Sequence, residues 1–295
     1  MPEGGRTLAG AVSSLAAELR AAGIPDPEID ARLLVLAAAG ATRLELIRTP
    51  DKPLSPTQDE RLAIFGKRRR AHEPVSRILG RREFWTLDLE VTPAVLDPRP
   101  ETELLVEAAL DYVRLAGRDR HRLTILDLGT GSGAILIALV RELPSAFGIG
   151  VDASVDALEV ARRNAERHGV GHRARFVAGN WADAIGRKVD LIVSNPPYLT
   201  TAEIDGVAPE VREFDPRAAL DGGADGLEAY RAVVAAWQRL GQPAMLLEIG
   251  ATQAAQVSEI IQKYSDVSSK PVIGLRRDLA GLPRIVTALP QIHFP

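Results

Sequence analysis

The feature that most constrains this chain is a series of short apolar runs, separated by amphipathic helical segments, which begins at Leu123. The runs are rich in leucine and β-branched residues: Leu123–Leu128, Phe147–Val151, Ala174–Ala178, Val189–Val193 and Ala244–Ile249. Strands that are covered by crossover helices on both faces have this continuous apolar character. The sequence therefore predicts an α/β fold with a doubly wound, mostly parallel sheet. Two final strands, Val272–Leu275 and Arg284–Leu289, are expected to add an antiparallel pairing.

The first part of the chain has a different pattern. Apolar residues recur at spacings of three and four from Leu8 to Leu19, which favours helices. Ser55 is expected to begin a helix that ends in the basic run Lys67–Arg70. The alternating stretch Glu83–Val91 predicts a short hairpin. These patterns predict three parts: an N-terminal helical domain (1–73), a hairpin linker (74–95) and the sheet domain (96–295).

Composition and charge exclude several classes of protein. The 295 residues include no cysteine, which rules out disulfides and thiolate metal sites and favours a cytoplasmic location. The histidines have no metal-ligand spacing, so we expect no metal; they are His72, His121, His168, His172 and His293. No apolar run approaches the roughly 20 residues of a membrane span. With a net charge of −3, the chain lacks the positive field of a duplex-DNA binder, and we expect no stable nucleic-acid binding.

A glycine-rich loop follows the first strand of the predicted sheet. From the strand onward it reads Asp127-Leu128-Gly129-Thr130-Gly131-Ser132-Gly133. Glycine allows a tight turn there and a close approach of a ligand. Asp152 ends the second strand, where a carboxylate accepts hydrogen bonds from ribose hydroxyls. The pattern predicts a nucleoside cofactor.

The loop alone leaves the identity of the cofactor open. Gly129, Gly131 and Ala134 also satisfy a looser dinucleotide fingerprint. Two details favour S-adenosylmethionine, because Asp127 suits a cationic amino acid moiety and Gly133 extends the every-second-residue spacing. The structural alternatives are a glycine turn without a ligand and an Asp152 that only caps the following helix.

The segment Asn195-Pro196-Pro197-Tyr198 stands at the end of the fourth predicted strand. This is the carboxyl edge of the sheet, where ligands of doubly wound folds bind. An amide nitrogen is a poor nucleophile because its lone pair is delocalised, so a site that methylates it must hold both N–H bonds. The Asn195 side-chain oxygen and the Pro196 carbonyl oxygen can each accept one, and the Tyr198 ring can stack on the flat group. The segment predicts methyl transfer to a planar amide nitrogen, the alternative being a Pro-Pro turn that caps the strand.

With these motifs the chain resembles the HemK/PrmC family, the protein-(glutamine) methyltransferases that act on the Gly-Gly-Gln loop of peptide chain release factors. The resemblance covers nearly the whole length. Its further motifs are Glu73–Val75, Arg82–Trp85, Pro98–Glu103, Arg212–Pro216 and Arg277–Gly281.

The resemblance implies a Rossmann-like class I methyltransferase sheet, S-adenosyl-L-methionine as the cofactor, and a release factor as the protein substrate, recognised through residues 1–73. We expect a monomer. It implies that Gly129–Gly133, Asp152, Trp181 and Asn195 line the cofactor site, with Trp181 against the adenine, and that Asn195–Tyr198 receives the glutamine. Two departures are Asn180, where many relatives carry aspartate, and Leu282-Pro283 in place of a polar pair.

Other functions stay open at this point. The glutamine could belong to a ribosomal protein, the acceptor could be the adenine N6 of DNA flipped out of the duplex, or the chain could bind cofactor without catalysis. The basic run Lys67–Arg70 could meet an acidic partner or form a solvated face. Glu101 and Glu103 could reach the methionine end of the cofactor or cap a helix.

Overall fold

The computed structural model describes residues 5–118, 121–186, 188–266 and 270–291. His293 lies outside the described residues. The chain divides into two compact units. The first comprises Met1–Arg81 and Pro209–Phe214, and the second comprises Arg82–Ala208 and Asp215–Pro295. The predicted boundaries at 73/74 and 95/96 stay predictions.

The first unit is helical. Its helices are α1 (Leu8–Ala21), α2 (Pro27–Ala39), α3 (Arg43–Arg48), α4 (Pro56–Arg70), α5 (Val75–Leu79) and the short α9 (Pro209–Arg212). α4 begins and ends as predicted, because the Ser55 side chain accepts from the Gln58 amide while the Gln58 side chain accepts from the Ser55 amide. Leu15, Leu19 and Leu34 lie in the buried core of this unit.

The basic run at the end of α4 is largely paired within the first unit. Three of its side chains form ion pairs: Arg68 with Glu73, Arg69 with Asp30 and Glu210, and Arg70 with Glu18. Arg69 is buried, so its charge is taken up by these acids rather than offered to solvent. Much of this run is therefore paired with acidic residues of the first unit.

The second unit contains a seven-stranded sheet and a separate hairpin. The hairpin is β1 (Arg81–Phe84) with β2 (Leu87–Glu90); Arg81 itself belongs to the first unit. The sheet strands are β3 (Thr124–Leu128), β4 (Phe147–Asp152), β5 (Ala174–Ala178), β6 (Leu191–Ser194), β7 (Ala244–Glu248), β8 (Val272–Arg277) and β9 (Pro283–Leu289). The other helices are α6 (Glu103–Leu115), α7 (Ala134–Glu142), α8 (Val155–Arg167), α10 (Glu228–Arg239) and α11 (Ala254–Tyr264).

The strand order is β5-β4-β3-β6-β7-β9-β8. β3 to β7 pair in parallel, whereas β9 pairs antiparallel with both β7 and β8. Both sheet faces are covered: Ile125 packs in a core cluster with residues of α6 and α7, and Leu126 packs in another with residues of α10. The predicted doubly wound α/β fold and its antiparallel end are confirmed.

The strand order reverses between β3 and β6, and this reversal positions the site. Asp127 of β3 pairs with Gly150 of β4 on one side and with Val193 of β6 on the other. The loops after β3 and β6 therefore start side by side and run in opposite directions along the sheet. Open α/β sheets bind ligands in the crevice at such a switch point.

Candidate active site

The glycine loop, Gly129–Gly133, is held by backbone geometry. Gly129, Gly131 and Gly133 have φ values of 73°, 53° and 81°, which side chains rarely adopt. The amides of Gly129 and Thr130 both donate to the Val151 carbonyl, at 2.9 and 3.0 Å. The loop therefore turns tightly over the end of β4.

Asp152 ties the glycine loop to the next helix. Its Oδ2 accepts from the Gly131 amide and its Oδ1 accepts from the Ser154 amide, both at 2.9 Å. Ser154 is itself the residue that caps α8, because its hydroxyl accepts from the Ala157 amide. Each carboxylate oxygen retains acceptor capacity, so the predicted contact with ribose hydroxyls is compatible with these bonds and stays a prediction.

The Asp127 side chain is hydrogen-bonded to the same loop through Thr130. It is 0% exposed, and its Oδ2 accepts from the Thr130 hydroxyl at 2.7 Å. Burial raises the pKa of Asp127 to about 7, and the nearby Asp152 charge acts in the same direction, while the Thr130 bond opposes them. The structure thus gives Asp127 a supporting position under the loop, and its predicted contact with the amino acid moiety stays a prediction.

A cavity of about 420 Å³ opens beside the loop. Of the predicted site residues, its wall includes Gly129, Gly131, Asp152, Trp181, Asn195 and Pro197. Asp127, Thr130, Ser132, Gly133, Pro196 and Tyr198 lie outside this wall. The wall also includes residues for which the sequence predicted no role, among them Ala94–Leu96, Ala218, Ala219 and Pro216 of the motif Arg212–Pro216.

Trp181 is held in an uncommon backbone conformation at the cavity wall, with φ of 51°. A bulky residue with positive φ is strained, and such strain clusters at functional sites. Its neighbour Asn180 also lines the cavity. The geometry therefore agrees with a place for Trp181 beside a bound ring, although this role stays a prediction.

Asn164 of α8 anchors the glycine loop to the hairpin, and the sequence did not reveal it. It is 0% exposed; its Oδ1 accepts from the Glu90 amide at 2.8 Å. Its Nδ2 donates to the carbonyls of Glu90 and Ser132, at 3.1 and 2.9 Å. The available signal was a polar residue on the apolar face of α8, between Ala161 and Ala165.

The acceptor segment, Asn195–Tyr198, leaves the sheet directly after β6. The Ser194 hydroxyl fixes this point by donating to the Leu128 carbonyl at 2.6 Å. Asn195 Nδ2 donates to Thr102 Oγ1 at 3.2 Å. Neither Asn195 Oδ1 nor the Pro196 carbonyl oxygen accepts a hydrogen bond from the residues that the structure describes. Two neighbouring acceptors thus have no donor among the described residues, and their predicted role in holding a substrate amide stays a prediction.

The far end of the acceptor segment, Tyr198, lies against Gly226 and Gly250. The Tyr198 carbonyl accepts from Gln253 Nε2 at 2.9 Å. A Cβ at Gly226 would lie 2.5 Å from that carbonyl oxygen, so only glycine fits there. Burial raises the pKa of the Tyr198 phenol, which keeps the ring neutral.

Other motif residues meet around this segment. Arg99 forms an ion pair with Asp215, which joins two motifs that are remote in sequence. Glu103 accepts from the Trp85 amide at 2.6 Å and so supports the hairpin turn. No role was predicted for Thr102, which lies in the motif Pro98–Glu103, or for Glu248, although the acidic residue at the end of the apolar run Ala244–Ile249 was a visible signal.

The described residues contain neither a cluster of metal ligands nor a membrane-spanning helix. Within residues 5–118, 121–186, 188–266 and 270–291, no group of three or more histidine, aspartate or glutamate side chains could hold a metal ion. In the same part of the chain, every helix is too short or too polar to cross a membrane.

Comparison with known proteins identifies the family. A family model of the PrmC N-terminal domain matches residues 11–80, and one of a methyltransferase domain matches residues 119–235. The release factor glutamine methyltransferase of Bradyrhizobium diazoefficiens is 44% identical over 289 residues, which cover 97% of this chain and 96% of that protein. The chain belongs to the release factor glutamine methyltransferase family. The member from Rhodospirillum rubrum is 42% identical and covers 94% of this chain and 85% of its own length.

A solved structure shares the fold of this family member. The hMettl16 catalytic domain, in complex with MAT2A 3'UTR hairpin 6, matches with a TM-score of 0.58 over 71% of this chain and 78% of that chain. The sequences are 14% identical, so the likeness shows the fold alone. The family assignment confirms the resemblance seen in the sequence motifs, and with it a methyltransferase that uses S-adenosyl-L-methionine.

Proposed function

We propose that this protein transfers a methyl group from S-adenosyl-L-methionine to the side-chain amide nitrogen of the glutamine in the Gly-Gly-Gln motif of a peptide chain release factor. The observation that carries the proposal is the pair of uncommitted acceptors, Asn195 Oδ1 and the Pro196 carbonyl oxygen, at the switch point of the sheet. Relatives that match over nearly the full length bear the name release factor glutamine methyltransferase.

The residues around the cavity fit the cofactor. A Cβ added at Gly129 or Gly131 would meet no protein atom within 4 Å, so the backbone is open to a ligand there. The Asp152 carboxylate and the Trp181 ring stand on the same wall and suit a ribose and an adenine. When bound, S-adenosyl-L-methionine supplies an electrophilic methyl group on its sulfonium.

The acceptor segment would position the nucleophile. A glutamine amide has two N–H donors in one plane, and two acceptors in fixed positions hold both. With both N–H bonds engaged, the nitrogen lone pair is directed out of that plane, toward the methyl donor. Positioning of this kind lowers the barrier by several kcal/mol or more, since it replaces a bimolecular encounter with a fixed one. We assign the Tyr198 ring to stack on the amide plane and Pro197 to keep Pro196 extended.

The choice of a release factor rests on the relatives and not on the cavity. The acceptor pair would also hold the glutamine of a ribosomal protein or the amino group of adenine, because each presents a planar NH2 group. That the protein works in the cytoplasm, as a monomer and without stable nucleic-acid binding, stays a prediction from the sequence.

The proposal is tested with labelled S-adenosyl-L-methionine. Purified protein is incubated separately with a release factor, the same factor with its Gly-Gly-Gln glutamine changed to alanine, a ribosomal protein and DNA. We expect label only in the unchanged release factor, on one glutamine by mass spectrometry. Label in DNA alone would refute glutamine methylation, and label in the ribosomal protein alone would move the activity to that substrate.

A further inference from the structure

Glu248 is a buried acid next to the acceptor segment that the proposed function does not use. It ends β7, whose residue Leu247 pairs with Ser194 of β6, so Glu248 lies beside Asn195. It is 3% exposed, and its Oε2 has no hydrogen-bond partner among the described residues. A buried carboxyl oxygen without a hydrogen-bond partner destabilises the folded protein, so its presence indicates a role that offsets this cost.

The neighbours of Glu248 point to Asn195. The Asn195 side chain and the Thr102 hydroxyl are both near enough to the Glu248 carboxyl to favour its charged form and so to lower its pKa. Thr102 is buried and also receives Asn195 Nδ2 at 3.2 Å. The NH2 group of Asn195 therefore faces two acceptors on the side of β7.

The orientation of this amide decides whether the acceptor segment works. An asparagine amide has nearly the same shape when it is turned by 180°, but the turn exchanges its acceptor for its donors. If Nδ2 faced the substrate, two NH2 groups would meet and no hydrogen bond would form. The Thr102 hydroxyl can accept or donate, so it suits either orientation, whereas an ionised carboxylate only accepts and therefore favours Nδ2 on its side.

We propose that Glu248 is a positioning residue: together with Thr102 it holds Asn195 Nδ2, so that Oδ1 is the atom presented to the substrate amide. The inference rests on the proposed function for its catalytic consequence only. The contact between Glu248 and Asn195 can be measured without any substrate.

The charge of Glu248 gives this role a pH dependence. Burial is the main reason that its pKa is raised to about 7; the Glu101 charge adds to the rise, while Thr102, Asn195 and Arg284 oppose it. The tyrosines facing it, Tyr198 and Tyr230, also have raised pKa values and stay neutral. Below the pKa of Glu248, its proton can be donated to Asn195 Oδ1 and so favours the turned amide. We therefore expect kcat to rise with pH through the pKa of Glu248, as the carboxylate forms.

Two variants test the role in the full-length protein. Glu248→Gln keeps the shape but cannot ionise, and it should lower kcat about tenfold and remove this pH dependence. Glu248→Met removes the acceptor at similar volume and should lower kcat about a hundredfold. KM for S-adenosyl-L-methionine should stay near the wild-type value in both, since neither change touches the cavity wall. Glu259→Gln, the same substitution at an exposed position of α11, is the matched control and should change nothing.

A substrate-free readout separates this inference from the proposed function. In ¹⁵N-labelled protein, the Asn195 side-chain NH2 signals, assigned by their loss in Asn195→Ala, should shift with pH around the pKa of Glu248 and cease to do so in Glu248→Gln. Absence of methylation by the wild type would refute the proposed function and leave this titration to decide the contact. Unchanged titration in Glu248→Gln would overturn the positioning role, as would a Glu248→Gln enzyme with the wild-type kcat and pH profile. If Glu248→Met fails to fold, the Gln variant decides alone.

Discussion

The two halves of the site are held in place by different means. The glycine loop is shaped by main-chain geometry: positive φ angles and amides that bond to the end of β4. The acceptor segment depends on side chains, because Asn195 is oriented by Thr102 and Glu248. A cofactor that must be bound and released meets a rigid backbone surface. A substrate amide that must be oriented for methyl transfer meets a network of polar side chains, whose arrangement depends on the charge of Glu248.

This difference determines how each half should respond to substitution. Changes in the glycine loop should alter cofactor affinity and leave the chemistry at saturation intact. Changes in the acceptor segment should lower kcat much more than they weaken cofactor binding, because only Asn195 and Pro197 of this segment line the cavity. A glycine-loop variant that lowers kcat at saturating cofactor, or an acceptor-segment variant that mainly weakens cofactor binding, would contradict this comparison.

The largest effect is expected for Asn195→Ala. Removal of one of the two acceptors should lower kcat on the order of a hundredfold to a thousandfold, as when one preorganised hydrogen-bonding group of an active site is lost. The Kd of S-adenosyl-L-methionine, measured by calorimetry, should stay measurable, since the rest of the cavity wall is intact. Undiminished activity would remove Asn195 from its assigned role.

A glycine pair tests the other half. Gly131→Ala should weaken cofactor binding about tenfold, because the alanine is strained at φ of 53° and its Cβ enters the space left for the ligand. Gly169→Ala carries similar strain, at φ of 72°, in a turn away from the cavity and should lower the melting temperature without changing the Kd. Equal Kd values for both variants would contradict the role of the glycine loop.

Asp127→Asn tests whether Asp127 supports the glycine loop as a buried, protonated side chain. The pKa of Asp127 is raised to about 7 in the folded protein, from an ordinary value of 3.8. The folded state therefore binds this proton more tightly than the unfolded state does. The proton's contribution to the free energy of unfolding is fully present below the ordinary pKa and is lost as pH rises through about 7. In urea denaturation, the free energy of unfolding of the variant, relative to that of the wild type, should therefore rise between pH 4 and 8 by on the order of a few kcal/mol. A difference that is constant with pH would mean that Asp127 is ionised throughout.

The smallest effect is expected for Tyr198→Phe. If the ring acts by stacking, loss of the hydroxyl should change kcat by about threefold at most, less than 1 kcal/mol. Tyr198→Ala serves as the comparison and should lower kcat about tenfold, since aromatic contacts contribute roughly 1 kcal/mol. A large loss in Tyr198→Phe would assign the role to the hydroxyl instead.

The sequence predicted those features that are encoded locally. Buried parallel strands show as apolar runs, so the sheet was placed to within a few residues, and the Ser55 cap defined the start of α4. The glycine loop and the acceptor segment were found because each needs special residues at fixed spacing. Both lie at the ends of strands, β3 and β6, as predicted, and the structure shows in addition that these two strands are neighbours.

Features that depend on long-range partners were missed. The segment Pro209–Phe214 groups with the first unit through Glu210, which contacts Arg69 and His72, and no local pattern marks such a pairing. Asn164 and Glu248 were visible as polar residues in apolar surroundings, but only the structure shows which groups they meet. Side-chain networks of this kind depend on which strands and helices become neighbours.

The central claim is that two acceptors hold the substrate NH2 group, and it is tested most directly by a crystal structure with S-adenosylhomocysteine and a glutamine peptide from a release factor. The account predicts that the glutamine Nε2 lies within about 3.2 Å of both Asn195 Oδ1 and the Pro196 carbonyl oxygen. A glutamine bound in the site with its Nε2 in contact with neither oxygen would contradict it.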